Sequence, residues 1–149
     1  WINAHEHRGI SLKVVKSVNG TIPTEDMIAA IDTHTNVLVI SSAQFSTGFR
    51  ADLEALGKVC HEKGIVFAVD GIQTLGRLNM DVQALHIDYL VAGSNKGLLG
   101  SLGCGFVYCS DRIVQDIIPL SATSPHPPSP PILSTWSGIP TPGGLKAAT

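Results

Sequence analysis

The chain is short of what marks a secreted, metal-bound or nucleic-acid-binding protein. It has only three cysteines in 149 residues, Cys60, Cys104 and Cys109, and no CxxC pair. An odd number without a secretory signal argues for reduced thiols and against a disulfide framework or a zinc site. The six histidines are scattered without ligand spacing, so no metal is expected. Excess charge of one sign is lacking too. The net charge is -2 and Lys and Arg stand singly along the chain, which leaves no basic stripe for a phosphate backbone and makes nucleic acid an unexpected partner. No apolar run approaches the roughly 20 residues that cross a bilayer, so no membrane span is expected. The first residue is Trp1 rather than Met, and no charged and apolar leader follows it. A truncated, cytoplasmic protein is the expectation.

What is present is an alternation. Residues 1 to about 118 interleave short apolar runs with amphipathic stretches, the pattern of a mostly parallel sheet flanked by helices, an α/β fold. The runs Ile10 to Val15, Val37 to Ser41, Ile65 to Val69, Tyr89 to Ala92 and Gly105 to Cys109 read as strands. Thr24 is placed to cap a helix over Glu25 to Ile31 whose acidic first turn suits the helix dipole. Asp52 to Lys63 carries Leu53, Leu56, Val59 and Cys60 at helical spacing and stops at Gly64. Asp81 to Leu85 makes a short third helix. The composition then changes: eight of the nine prolines fall between Pro119 and Pro142. Residues 119–149 therefore read as an extended or disordered tail. A non-native end weighs more than a Pro-rich ligand motif there.

Two strand ends carry candidate chemistry. Asp70 closes the run Ile65-Val-Phe-Ala-Val, at the carboxyl tip where open α/β sheets gather ligands. Gln73 follows three residues on, a neutral donor, and Gly71 and Gly76 let backbone come close to a flat group. The plain alternative for Asp70 is a loop cap beside Gly71. Lys96 follows Asp88-Tyr-Leu-Val-Ala-Gly-Ser-Asn, again at a strand end. An amine among apolar neighbours favours covalent capture of an aldehyde, although most lysines are solvated surface charges. Gly93, Ser94 and Asn95 offer backbone, hydroxyl and amide groups to a phosphate, or form an ordinary turn. An amine and a carboxylate on neighbouring strand tips are what a pyridine-ring electron sink needs, one for its aldehyde and one for its ring nitrogen. The glycines of residues 97–105 lead into a strand, not out of the first one, so they are a poor match to a dinucleotide loop.

Ile87-Asp-Tyr-Leu-Val-Ala-Gly-Ser-Asn-Lys96, followed by Gly103-Cys-Gly105-Phe-Val107, resembles the lysine signature of the class V aminotransferase family of fold-type-I pyridoxal-phosphate enzymes. That family includes cysteine desulfurases, selenocysteine lyases and isopenicillin-N-epimerase-like proteins. Phe67-Ala-Val-Asp70-Gly-Ile-Gln73-Thr-Leu-Gly76 is similar to the family's Asp-x-x-Gln strand end. The resemblance covers residues 1 to about 118 and implies part of the large domain of such a transferase, with pyridoxal 5'-phosphate as cofactor and an amino acid or related amine as substrate. It implies that Lys96 is the Schiff-base lysine, Asp70 the partner of the pyridine nitrogen, Gln73 a contact to the ring hydroxyl, and Ser94 and Asn95 phosphate-side contacts. Asn95 stands where the family usually has His, Gln or Arg, and Gly97 where a bulky residue often follows the lysine. Desulfurases commonly carry a His-Val-x-Asn turn where this chain reads Ser42-Ala43-Gln44-Phe45, which is closer to the epimerase-like and general transferase branch. The resemblance also implies that the ring-stacking residue, one phosphate loop and the small domain lie outside this sequence, and that a full-length relative is a homodimer. Two alternatives stand beside it: a non-catalytic remnant or binding module without a complete site, and an unrelated nucleotide-binding α/β domain.

Overall fold

The computed structural model describes residues 5, 6 and 9–117. The chain divides into two units, Trp1–Ser110 and Asp111–Thr149. Within the second, the described residues hold a single 3-10 turn, Val114–Asp116. The change of composition expected at Pro119 lies outside the described residues.

The first unit is built on a four-stranded sheet in the order β1-β2-β3-β4. The strands are β1 (Val37–Ser41), β2 (Val66–Asp70), β3 (Tyr89–Gly93) and β4 (Gly105–Cys109). The first three run parallel and β4 is antiparallel to β3. This is the mostly parallel sheet with flanking helices expected of the sequence, with helices α1 (Thr24–Ala29) and α2 (Leu53–Glu62).

Helix α2 forms where it does because both ends are written into the chain. The Asp52 carboxylate accepts the Ala55 amide at 3.0 Å and satisfies one of the helix's unpaired first-turn donors. At the other end Gly64 adopts φ +69, its amide donates to the His61 carbonyl, and the Ile65 amide donates to Cys60. That double closure turns the chain straight into β2. Between these ends Leu53, Leu56 and Cys60 are buried and meet Leu38, Ile40, Phe67, Val69 and Leu90 from one face of the sheet. Full burial of side chains such as Leu56 and Phe67 contributes about 1.5–3 kcal/mol each. The opposite face is open, with Val37, Val39 and Val107 between 39% and 46% exposed.

Below the sheet's working end, Asp88 ties three strands. Buried itself, it accepts the Phe67 amide on Oδ2 and the Ser110 hydroxyl on Oδ1, each at 2.9 Å. A buried carboxylate held this way is a structural stitch.

Three expectations are corrected. Ile10 to Val15 is not a strand. Ile10, Leu12 and Val14 are exposed, and the segment is tethered through Lys13, whose ammonium donates to the Ala30 carbonyl and the Asp32 carboxylate. An apolar run without a neighbour for its ladder gains nothing from pleating. Thr24 does not cap α1. The helix already includes it, Pro23 holds the N-cap position, and no side chain caps the end. Asp81 to Leu85 is a closed turn rather than a helix. The Asp81 carboxylate takes the Gln83 and Ala84 amides, and the Ile87 amide bonding to Val82 ends it after one turn.

Candidate functional site

The carboxyl tips of β2 and β3 lie side by side. Asp70 is paired with Val91, and Gly93 is paired with Gly105 one step further along. Paired residues share a face of the sheet, so Asp70, Val91, Gly93, Gly105 and Val107 line one open cavity of about 470 Å³, together with Ile72 and Phe106. A Cβ on Gly93 would come within 3.2 Å of the Ile72 side-chain tip and 2.9 Å of the Asn95 side-chain oxygen.

Asp70 is the last residue of β2, one position further than the apolar run suggests. Its Oδ1 accepts the Ile72 amide at 2.9 Å, which starts the turn carrying Gln73. The backbone beneath it is pinned from β1: the Ser42 amide and hydroxyl both donate to the Asp70 carbonyl, at 2.9 and 3.0 Å. The same hydroxyl lies 2.7 Å from that of Thr74, and both residues are buried.

Lys96 follows β3 by three positions, in the turn after Gly93. It is half-buried, and its Nζ lies 5.1 Å from the centroid of the Phe45 ring. Ser94 closes this turn on itself: its hydroxyl donates to the Ser101 carbonyl at 2.7 Å with the Cys104 carbonyl at 3.1 Å, and its amide donates to Cys104. Asn95 is exposed and Gln73 half-buried. Asp70 alone of the five expected site residues lines the cavity. Gln73, Ser94, Asn95 and Lys96 stand in the two turns above it, and the turns touch through Gly76 and Gly97.

The turn Ser42-Ala43-Gln44-Phe45 marked only a family branch in the sequence, and neither the Ser42–Thr74 hydroxyl pair nor the Phe45 ring beside Lys96 was foreseen. Their partners lie far away along the chain, and no local spacing announces a hydroxyl pair or a ring that crosses from one loop to another.

The sheet with its flanking helices is the one found in fold-type-I aminotransferases. The structure aligns with a cysteine desulfurase from Thermococcus onnurineus at TM-score 0.68 and 25% identity, over 75% of this chain and 28% of that one. It aligns with alanine-glyoxylate aminotransferase from Nostoc at TM-score 0.59 and 31% identity, over 64% and 26%. The chain belongs to the class-V aminotransferase family, whose model matches residues 1–129. That is a family of pyridoxal-phosphate-dependent enzymes. A probable cysteine desulfurase from Methanothermobacter thermautotrophicus is 31% identical over 121 residues, 80% of this chain and 30% of the relative. An uncharacterized aminotransferase from Bacillus subtilis is 27% identical over 113 residues, 76% of this chain and 30% of the relative. The chain thus spans about 30% of the length of these curated relatives.

Proposed function

We propose that this chain is the cofactor-binding core of a pyridoxal-phosphate-dependent enzyme acting on an amino acid or related amine. The observation that carries the reading is the pairing of Asp70 with Val91 and of Gly93 with Gly105 around one cavity, with Lys96 in the turn that leaves it. The donor set fits the cofactor: an amine for an aldehyde, a carboxylate for a ring nitrogen, and glycines that leave space for a planar ring. When bound, pyridoxal phosphate supplies an electron sink for charge developing at the carbon next to the substrate's amino group.

The chain's own groups divide the work. Lys96 Nζ would hold the cofactor through its aldehyde, and as a free amine it could carry a proton to and from the substrate. The Asp70 carboxylate keeps the ring nitrogen protonated through a charge-assisted hydrogen bond, with Oδ1 already anchored on the Ile72 amide. Gln73 addresses the ring oxygen, and Asn95 and the Ser94 turn stand on the phosphate side. The cofactor-binding part runs over residues 1–118 with the Pro-rich segment 119–149 outside it, and a full-length relative is a homodimer.

The test is direct. Added pyridoxal 5'-phosphate should turn the protein yellow, and borohydride should fix the adduct on the Lys96 peptide; Lys96→Ala should give neither. An adduct spread evenly over all lysines sinks the reading. A second reading, a non-catalytic remnant, is favoured by the open sheet face with Val37, Val39 and Val107 exposed. A remnant should stay colourless.

A further inference from the structure

Phe45 is an aromatic residue with no place in the core. It is 84% exposed, yet the loop that carries it is closed tightly: the Gln44 amide donates to Phe49 and the Gly48 amide to Gln44, at 2.8 and 2.9 Å. Ala43 and Arg50 form a bridge at its base, and Gly48 at φ +71 makes the reversal. The ring lies under Lys96, with Nζ 5.1 Å from its centroid, inside the range where the ring quadrupole attracts an ammonium. Among the described residues no carboxylate forms an ion pair with Lys96.

We propose that Phe45 is a positioning residue for Lys96: its ring holds the side-chain amine in place in the turn that follows β3. The inference rests on the cofactor reading and extends it to the loop after β1. A ring suits the task better than an acid. A carboxylate would hold the amine in strong, directed charge-assisted hydrogen bonds, whereas a ring face restrains the side chain by a weaker and less directional attraction. It also gives the β1 loop a part in the site, although that loop shares no hydrogen bond with the turn after β3 among the described residues.

The experiment compares lysines within one chain. Reductive methylation with formaldehyde and cyanoborohydride, read per lysine by peptide mass spectrometry, uses exposed Lys58 and Lys63 as internal references. Phe45→Leu should raise the rate at Lys96 relative to these by about two- to fivefold, the factor expected for losing a ring contact. Phe45→Trp should leave the ratio where it was. Capture of pyridoxal 5'-phosphate at Lys96, fixed with borohydride, should fall in Phe45→Leu and recover in Phe45→Trp, because a docked aldehyde needs the amine in place while a small free one does not. An unchanged ratio in Phe45→Leu overturns the proposal, as does a rise at Lys58 and Lys63 alongside Lys96, which marks general loosening. If the unsubstituted protein forms no adduct at Lys96, the cofactor reading falls, and the methylation ratio still decides the role of Phe45.

Discussion

Gly76 and Gly97 meet backbone against backbone. A Cβ on Gly76 would overlap the Gly97 carbonyl, and one on Gly97 would overlap the Leu75 carbonyl and crowd Arg77 Cγ at 2.8 Å. Gly76 also sits at φ +80, where L side chains are strained. Through this contact the turn after Asp70 and the turn of Lys96 pack directly against one another, backbone to backbone.

A methyl group at Gly97 should therefore act on both stability and the site. Gly97→Ala cannot be relieved by rotating a side chain, because the obstacle is a carbonyl of the neighbouring turn. The expected loss is about 1–3 kcal/mol, the usual range for overpacking, read from the urea midpoint. Adduct formation at Lys96 should fall with it even under conditions where the variant is fully folded. Unimpaired capture at Lys96 would show that the two turns do not need each other.

The hydroxyls of Ser42 and Thr74 make a second brace, 2.7 Å apart and buried beneath the Asp70 carbonyl. Ser42→Ala removes a donor from that carbonyl and a partner from Thr74, with an expected cost of about 1–3 kcal/mol. Thr74→Val should cost a similar amount. The double variant should cost less than the sum by about 0.5 kcal/mol or more, since both changes break the same contact. Strict additivity in urea denaturation would mean the hydroxyls act independently.

How far the sequence carried the reading follows from which interactions are local. β1 and β4 end where their apolar runs end, because turn residues bound them on both sides. β2 runs one residue further, since Asp70 finds a ladder partner in Val91. Ile10 to Val15 has the composition of a strand and no neighbour. Asp81 to Leu85 has helix-like spacing, but its carboxylate and the Ile87 amide close it after one turn. The places of Asp70 at the end of β2 and of Lys96 just after β3 were legible because strand tips follow from the order of the elements. The partners of Ser42 and Phe45 were not, because their contacts are made by chain segments that only the fold brings together.

Outside the site, Asp32 provides a pH signature. Its carboxylate lies 2.7 Å from Lys13 Nζ. The Lys13 hydrogen bond, then the His34 amide and the Thr35 hydroxyl, hold its pKa well below the usual carboxylate range. A depressed folded-state pKa means that this contribution to stability is complete above the ordinary carboxylate range and is lost as the pH falls through that range toward the folded value. Both side chains are about half exposed, so the effect is small and weakened by salt. In carboxyl-carbon NMR, Asp32 should titrate below the roughly 3.9 of a free aspartate, and Lys13→Met should move it upward. A midpoint indifferent to Lys13→Met would assign the shift to the amide and hydroxyl alone.

Asp70→Asn separates charge from shape at the cavity. The amide oxygen of Asn can still accept from Ile72, so the turn should keep its geometry and the urea midpoint should stay within about 0.5 kcal/mol of the starting value. What disappears is the negative charge that the proposed reading sets beside the ring nitrogen. A hydrogen bond to a charged group contributes about 1.5–3 kcal/mol, so apparent affinity for pyridoxal 5'-phosphate should drop by about ten- to a hundredfold while borohydride still places the adduct on Lys96. Retained position with lost affinity is the pattern that a carboxylate gripping one end of a ring and an amine gripping the other must produce. Equal affinity would assign Asp70 to the turn, as the cap that its bond to Ile72 already makes it.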